Sequence, residues 1–388
     1  MTEFVDGNRI NLLTSGSEYF PALEAVFDAA QHEIHLETYI FEDDVAGRRI
    51  AAALQRAARR GVATHLLVDG YGSRQLNPGF VAGMQSAGVR YLVYRPDIAP
   101  WTFQRQRLRR MHRKLAVIDA QVAFVGGINI IDDMHTPGQT PPRFDYAVRI
   151  EGPLLINIHP VAKKLWALVE FTQLGQDWRP RAPPVAADNP LGHQRAAFLV
   201  RDNLRHRSDI EEAYLAAVAG ARSEILIASS YFFPGQVFRR ALMDAAARGV
   251  RVVLLLQGRV EYVLLHYAAH ALYGAFLDAG IEIHEYHKSF LHAKVAVIDR
   301  RWATVGSSNI DPLSLLLARE ANVVIDDREF AAGLQQSLAT AMAAGAHQVL
   351  RESWKDQPLP KRVGMWLAYG LARILIGISG YGRTGEIS

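Results

Sequence analysis

An eight-residue string occurs twice in this chain, once in each half. It reads HRKLAVID at residues 112–119 and HAKVAVID at 292–299. A second string follows each copy at the same distance, GGIN at 126–129 and GSSN at 306–309. Because both strings recur in the same order and spacing, the sequence predicts a duplicated unit whose two copies together build one site.

The similarity between the halves extends to the residues that precede the motifs. The matching segments are 30–41 with 221–233, 57–70 with 245–258, and 87–94 with 279–286. Each of these segments contains a buried, strand-like run, and helical stretches separate the runs. We therefore predict an α/β fold with two duplicated domains, each a mixed sheet flanked by helices, packed about a pseudo-two-fold axis.

Domain boundaries follow from the repeat and from local composition. We predict a first domain at residues 1–175, a Pro- and Ala-rich linker at 176–192 and a second domain at 193–350. The tail at 351–388 is apolar, but its charge and glycines disfavour a full membrane span. An interfacial membrane helix is the preferred interpretation, and a helix packed on its own domain is the alternative. The apolar segment 264–277 is either a core helix or a lipid-facing lid.

Composition narrows the classes of function. The chain has no cysteine, which excludes disulfides, zinc–thiolate sites and cysteine nucleophiles. The first residues lack a secretory signal pattern, so the expected location is the cytosol or, peripherally, the cytoplasmic face of the cell membrane. Basic residues crowd the approach to the first motif: Arg105, Arg107, Arg109, Arg110, Arg113 and Lys114. We interpret this cluster as attracting a phosphate-bearing partner, with a solvated charged loop as the alternative.

Each motif places its histidine and its lysine on one face of a strand. The ammonium group repels a metal cation and attracts an anion, so we predict a phosphate site with neither metal nor cofactor. The residues expected to bind the phosphate are Lys114, Lys294, Asn129, Asn309, Ser307 and Gly126. A separate pair, His266 and His270, has a spacing compatible with a metal, but no third ligand is evident, so a metal role there is disfavoured.

Two histidines at one phosphate allow nucleophilic catalysis. A neutral imidazole attacks phosphorus, and a second, protonated imidazole gives the leaving alkoxide its proton. The residues do not show which histidine is attacked; we choose His112 as the nucleophile and His292 as the acid. A phosphohistidine intermediate then passes its group to an acceptor hydroxyl.

Four acidic residues accompany the motifs. Asp145 and Glu320, downstream of the two motifs, are expected to orient the imidazoles, with structural salt bridges as the alternative. Asp119 and Asp299 complete the catalytic motifs, and we expect them to hold the loops by hydrogen bonds without touching phosphate.

These motifs resemble those of the phospholipase D superfamily, which has a doubled His-x-Lys-x4-Asp followed by a Gly-Gly/Ser-x-Asn turn. The match covers about residues 7–350. The resemblance implies that His112 and His292 are the nucleophile and the acid, and that the lysines and asparagines bind phosphate. It also implies that Asp145 and Glu320 orient the histidines.

Within the superfamily the chain is similar to the bacterial cardiolipin synthases, in particular the type B enzymes without an N-terminal membrane anchor. Similar stretches include LETYIFEDDVAGRRI, RRMHRKLAVIDAQVAFVGGINI and WATVGSSNIDPLSLLLAREANVVI. The resemblance implies phosphatidyl transfer between two phosphatidylglycerol molecules at a membrane surface, with release of glycerol. No nucleic-acid partner is expected, and the oligomeric state stays open.

Two rival classes of function are kept. The first is a phospholipase D-type hydrolase or metal-independent nuclease of the same superfamily, because the histidine chemistry does not choose the acceptor. The second is a non-catalytic phosphate- or membrane-binding protein. It ranks last because both motif sets are intact.

Overall fold

The computed structural model describes residues 2–96, 109–174, 189–202, 206–260, 263–311 and 318–378. The strands of the first half are β1 (Val5–Thr14), β2 (Glu33–Thr38), β3 (Ala63–Asp69), β4 (Arg90–Tyr94), β5 (Arg110–Met111), β6 (Lys114–Ile118), β7 (Val122–Gly126), β8 (Arg143–Phe144) and β9 (Tyr146–Glu151). Those of the second half are β10 (Gln194–Arg201), β11 (Glu224–Ser229), β12 (Arg251–Gln257), β13 (Glu282–Tyr286), β14 (Phe290–Leu291), β15 (Lys294–Ile298), β16 (Trp302–Gly306), β17 (Ala318–Asp326) and β18 (Ala346–Gln348).

The helices alternate with these strands. They are α1 (Ser15–Ala29), α2 (Val45–Arg59), α3 (Pro78–Ser86), α4 (Leu155–Leu174), α5 (Asp209–Gly220), α6 (Gln236–Ala247), α7 (Val263–His270), α8 (Tyr273–Asp278), α9 (Arg328–Gly345), α10 (Arg351–Lys355) and α11 (Leu359–Ile378).

The strand order mirrors itself about its centre. It runs β4-β3-β2-β6-β7-β9-β1 and then β10-β17-β16-β15-β11-β12-β13, with β18 added at the second end. In each half the first three strands of the repeat pair in parallel and the motif strand joins them antiparallel. The predicted α/β fold, duplicated about a pseudo-two-fold axis, is confirmed.

The two predicted sheets join into one continuous hydrogen-bonded sheet. The first strands of the halves pair antiparallel, with Val5 opposite Ala196 and Asn8 opposite Gln194. Without this pairing each strand would leave unpaired backbone groups at a sheet edge. The proposed linker lies mostly outside the described residues, which resume at residue 189.

The inner faces of the halves share one hydrophobic core. Val117 and Val148 of the first half belong to the same buried cluster as Val297 and Val323 of the second. Helices α4 and α9 complete this inner layer, while α1–α3 and α5–α8 cover the outer faces. Hydrophobic side chains therefore pack on both faces of each motif strand, which holds the first residues of the strand in place.

The C-terminal segment forms α11, which packs on the second half. Met365 and Ala372 are buried, and the Tyr369 ring lies 5.6 Å from that of Phe233. The opposite face exposes an apolar stripe: Leu359, Val363, Trp366, Leu367, Leu371 and Ile374. No helix within the described residues is long and apolar enough to cross a membrane.

The apolar segment 264–277 divides into two short helices. Ala268, Leu272, Tyr273 and Phe276 are buried in the core of the second half. Tyr267 remains 38% exposed. The core-helix interpretation therefore holds for one face of the segment, and its other residues are partly or fully exposed.

Candidate active site

Each motif histidine is held by a strand of the other half. Strand β5 pairs in parallel with β17, and the His112 amide donates to the carbonyl of Arg319 at 2.9 Å. In the same way β14 pairs with β8, and the His292 amide donates to the carbonyl of Phe144 at 2.8 Å. The two crossings are equivalent under the pseudo-two-fold and bring both motifs to the interface between the halves.

The orienting carboxylates are exchanged between the halves. Nδ1 of His112 lies 2.9 Å from Glu320 Oε1, and Nδ1 of His292 lies 2.6 Å from Asp145 Oδ2. Glu320 and Asp145 are buried, so water screens the charge of neither carboxylate. Occupation of Nδ1 leaves Nε2 of each imidazole for reaction. From the sequence alone, each carboxylate could be placed downstream of a motif but not assigned to the histidine of the opposite half.

The two lysines are almost completely buried beside the histidines. Lys114 Nζ donates to the His112 carbonyl at 2.6 Å. Lys294 Nζ lies 2.9 Å from His292 Nδ1 and 3.6 Å from Asp145 Oδ2. Burial lowers the pKa of Lys114 to about 7, against the attraction of the Glu320 carboxylate. The site thus places two lysine side chains beside two buried carboxylates, and the lysines are the groups that can attract an anion.

The electrostatics of the second half-site keep its imidazole neutral. Burial and then the adjacent Lys294 ammonium lower the pKa of His292 to about 3. Burial alone would raise the pKa of the Asp145 carboxyl, but Lys294 and His292 together hold it below its usual value. A neutral imidazole on a carboxylate is the form in which histidine is nucleophilic.

The two motif asparagines are fixed in orientation. Asn129 Oδ1 accepts from the Ile40 amide at 3.1 Å, and Asn309 Oδ1 accepts from Ser230 Oγ at 3.0 Å. Both side chains are buried. Asn129 follows β7 and Asn309 follows β16, the strands that pair with the two motif strands. Fixing the amide oxygen in this way determines where each amide nitrogen points.

Ser307 and Gly126, both predicted to bind phosphate, also make structural contacts. The Ser307 hydroxyl donates to Glu320 Oε2 and accepts from the Ala321 amide at 3.0 Å, so it supports the carboxylate. At Gly126 an added Cβ would lie 2.5 Å from the Tyr146 carbonyl oxygen and from the Ala147 Cα. This glycine therefore permits close strand packing, and phosphate binding by either residue stays a prediction.

Asp119 and Asp299 belong to the motifs but lie at the far ends of the motif strands. Asp119 accepts from the amides of residues 31–33 at 2.8 Å each. Asp299 accepts from the amides of residues 222–224 at 2.8 to 2.9 Å. Both have positive φ, 52° and 51°, in a tight turn that aspartate tolerates better than most residues. These hydrogen bonds hold the turn that follows each motif strand, as expected from the sequence.

The interpretation of the basic cluster was wrong for two of its members. Arg110 lies 2.9 Å from the buried Asp69, and Arg113 forms a buried ion pair with Glu37. These arginines anchor the approach to His112 instead of facing a partner. Arg105 and Arg107 lie outside the described residues.

Two aromatic residues at the site were not singled out from sequence. The Tyr39 ring packs edge-on against His112 at 4.9 Å, with Lys114 Nζ 5.4 Å from its centroid. Phe290 lies 5.7 Å from His292. Tyr39 directly follows β2, and its equivalent directly after β11 is Ser230, so the repeat offered no signal for this ring.

Gly127 is a further residue that the sequence did not mark. A Cβ there would lie 2.4 Å from both oxygens of Asp145. Its equivalent in the second half is Ser307, which bonds to Glu320. Gly127 thus leaves room for the aspartate of one half-site, and Ser307 gives a hydrogen bond to the glutamate of the other.

His266 and His270 serve a local role. His270 Nδ1 lies 2.7 Å from the His266 carbonyl oxygen and Nε2 lies 2.9 Å from Glu285 Oε1. Within the described parts of the chain, the two histidines belong to no cluster of three possible metal ligands.

The duplicated fold, with a His–Lys pair from each half at one interface, defines a phospholipase D-like protein. A family model described as "Cardiolipin synthase, PLD-like domain" matches residues 23–137 and 214–342, one match in each half. The chain belongs to this family.

Curated relatives agree with this membership, and a solved structure shares the fold. Cardiolipin synthase B of Escherichia coli (strain K12) is 42% identical over 358 residues, which cover 92% of this chain and 84% of the relative. Cardiolipin synthase of Geobacillus kaustophilus (strain HTA426) is 31% identical over 81% of this chain and 62% of its own length. The crystal structure of phosphatidylserine synthase from Haemophilus influenzae Rd KW20 superposes with a TM-score of 0.72 at 13% identity and covers 95% of each chain. At that identity the structural likeness supports the fold alone.

Proposed function

We propose that this protein is a cardiolipin synthase, a phosphatidyltransferase that joins two phosphatidylglycerol molecules and releases glycerol without a metal or cofactor. The observation that carries the proposal is the pair of histidines, each on a buried carboxylate of the other half, in a chain of the cardiolipin synthase family. The substrate phosphodiester sits between them, with Lys114, Lys294 and the motif asparagines around its oxygens.

The reaction proceeds by two displacements at phosphorus. In the first, Nε2 of one histidine bonds to phosphorus, and the glycerol oxygen leaves with a proton from the other histidine. In the second, the now neutral histidine takes the proton of a hydroxyl on a second phosphatidylglycerol, whose oxygen displaces the histidine. Buried ammonium groups stabilise the negative charge that develops on the phosphoryl oxygens.

The surroundings of His292 suggest how the two roles are divided. The lowered pKa of His292 keeps this ring neutral, which favours His292 as the nucleophile and His112 as the acid. This assignment reverses the one made from sequence. Quenching turnover of phosphorus-labelled substrate with detergent at alkaline pH, which preserves a phosphohistidine, followed by peptide mapping, should place the label on the peptide that contains His292. Label on the His112 peptide would restore the first assignment.

We further propose the organisation and location in which this site works. The two units span residues 1–175 and 193–350, joined at 176–192, and the tail at 351–388 carries the membrane contact. Its apolar stripe, with Lys361 and Arg362 near its start, suits peripheral binding to an anionic membrane at the cytoplasmic face.

The test is a mass-spectrometric assay of purified protein with labelled phosphatidylglycerol in mixed micelles containing EDTA. Wild type should give cardiolipin and free glycerol, and His112→Ala and His292→Ala should give neither. Phosphatidic acid without cardiolipin would instead identify a hydrolase of the same superfamily. Absence of lipid turnover, with cleavage of single-stranded DNA, would identify a nuclease.

A further inference from the structure

The face of β2 that α4 covers is polar along its whole length. Glu33, His35 and Glu37 alternate along the strand, so their side chains share this face. A strand covered on both sides ordinarily carries apolar side chains. Glu37 is explained by its ion pair with Arg113. Glu33 and His35 require another explanation.

His35 is the most unusual member of this row. The residue is 4% exposed, and among the described residues neither of its ring nitrogens makes a hydrogen bond. Nε2 lies 3.5 Å from Glu33 Oε2 without hydrogen-bond geometry. The ring stacks on His65, whose own Nδ1 lies 3.3 Å from the Ile34 carbonyl oxygen. A buried polar side chain left in this way calls for a partner of another kind.

Helix α4 brings two more groups to the same point, one turn apart. His159 Nε2 lies 2.5 Å from Glu33 Oε1, and Lys163 Nζ lies 3.6 Å from Glu33 Oε2. The ligand atoms that Glu33, His35 and His159 offer all lie within 4.8 Å of one another. His159 is 2% exposed, so this is a buried cluster between helix and sheet.

We propose that Glu33, His35 and His159 bind a divalent transition-metal ion, with Zn²⁺ the best chemical match. Two imidazoles and one carboxylate form a common zinc ligand set, with the fourth tetrahedral position open to water. Ligand atoms on such an ion lie about 3.4 Å apart, so the Glu33–His35 spacing already fits and His159 has to withdraw by about 1 Å.

Lys163 competes with the ion for Glu33. Its side chain is 22% exposed, so the ammonium group can turn to solvent when a cation takes its place. Removal of the lysine charge should therefore strengthen metal binding, whereas an ordinary structural ion pair predicts no such gain.

The ion would fasten α4 to the sheet and take no part in phosphoryl transfer. His35 pairs with Val117, which lies three residues beyond Lys114 on the motif strand, about 10 Å along it. The earlier expectation that the reaction needs no metal is unaffected. Failure of this proposal would leave the proposed activity unchanged.

The test uses the full chain, stripped with a chelator and titrated calorimetrically with Zn²⁺, with Co²⁺ absorption as a second readout. Wild type should take up one equivalent, and its melting temperature should rise with Zn²⁺. His35→Phe and His159→Gln should each weaken uptake more than about 100-fold. Lys163→Met should tighten it, and His65→Phe, beside the cluster but outside the ligand set, should bind as wild type does.

Three outcomes would overturn the proposal. The first is the absence of Zn²⁺ uptake by wild type and by Lys163→Met. The second is uptake that His35→Phe leaves unchanged. The third is a wild-type melting temperature that Zn²⁺ leaves unchanged or lowers, which would identify the cluster as a closed ion-pair network.

Discussion

Ser307 and Gly127 occupy equivalent positions in the two motifs, and each matches the carboxylate beside it. Ser307 gives Glu320 a hydrogen bond, and Gly127 leaves the space that the Asp145 carboxylate fills. A side chain at 127 would crowd Asp145, and a glycine at 307 would leave Glu320 without the hydroxyl donor. Two half-sites with the same histidine and lysine therefore differ in the residue that contacts the orienting carboxylate.

Ser307→Ala should lower kcat without unfolding the protein. Loss of a hydrogen bond to a charged group is worth about 1.5–3 kcal/mol, which corresponds to roughly 10- to 100-fold in rate. Steady-state kinetics and melting curves measure the two effects. Ser308→Ala is the matched control, because within the described part of the chain its hydroxyl makes one hydrogen bond, to the Asn309 carbonyl at 3.4 Å. Equal losses in both variants would contradict a specific role for Ser307.

Lys114 should make substrate affinity depend on pH. With a pKa of about 7, its ammonium form predominates below pH 7 and is lost as pH rises through that value. The KM for short-chain phosphatidylglycerol should therefore rise several-fold between pH 6 and pH 9. The phosphodiester does not titrate there, nor does His292, whose pKa is about 3. A KM that stays constant would contradict this role, and Lys114→Arg, always charged, should flatten the profile.

At the scale of elements, two short strands do the most for function. Strands β5 and β14 have two residues each, and each pairs with the opposite half just before a motif histidine. Arg110 fastens the first of them to Asp69. A strand of two residues is too short to show an alternating hydrophobic pattern, so these strands could not be predicted from the sequence.

The outer face of α11 should bind lipid vesicles. Trp366 and Leu367 are 59% and 70% exposed, so replacing both with serine removes apolar surface without disturbing the core. Burial of two such side chains supports roughly a 10-fold or larger loss of affinity for phosphatidylglycerol vesicles on mutation. Co-sedimentation measures the binding. Val237→Ser, which changes an exposed residue of α6, should bind normally, and equal binding by all three proteins would contradict the assignment.

At the scale of the whole molecule, the repeat predicted most of the architecture and the residues that meet at the site. His112, Lys114, His292 and Lys294 come together as the spacing indicates. The sequence could not show that Asp145 and Glu320 each contact the histidine of the other half, because this depends on how the two halves pack together. The pairing of Arg113 with Glu37 was likewise hidden, since a charged run looks the same whether its partners are solvent or buried carboxylates.

The folded protein should lose stability in mild acid. His65, His266 and His292 have pKa values of about 3, 4 and 3, each lowered mainly by burial. The unfolded chain binds these protons near pH 6.5, so it gains protons first and stability falls as pH drops from about 6.5 toward 4. Melting temperatures between pH 7.5 and pH 4.5 should show the decline, and His65→Phe should reduce it. A profile that His65→Phe leaves unaltered would contradict the assignment for that residue.

The exchange of carboxylates also bears on how such a chain arose. A single-motif ancestor would carry each histidine without its orienting partner, so it could act only as a symmetric pair of identical subunits. Fusion of two copies removed the requirement that both sites stay the same. The Gly127–Asp145 and Ser307–Glu320 combinations are what that freedom permits: one gene in which donor and acceptor steps can be refined separately.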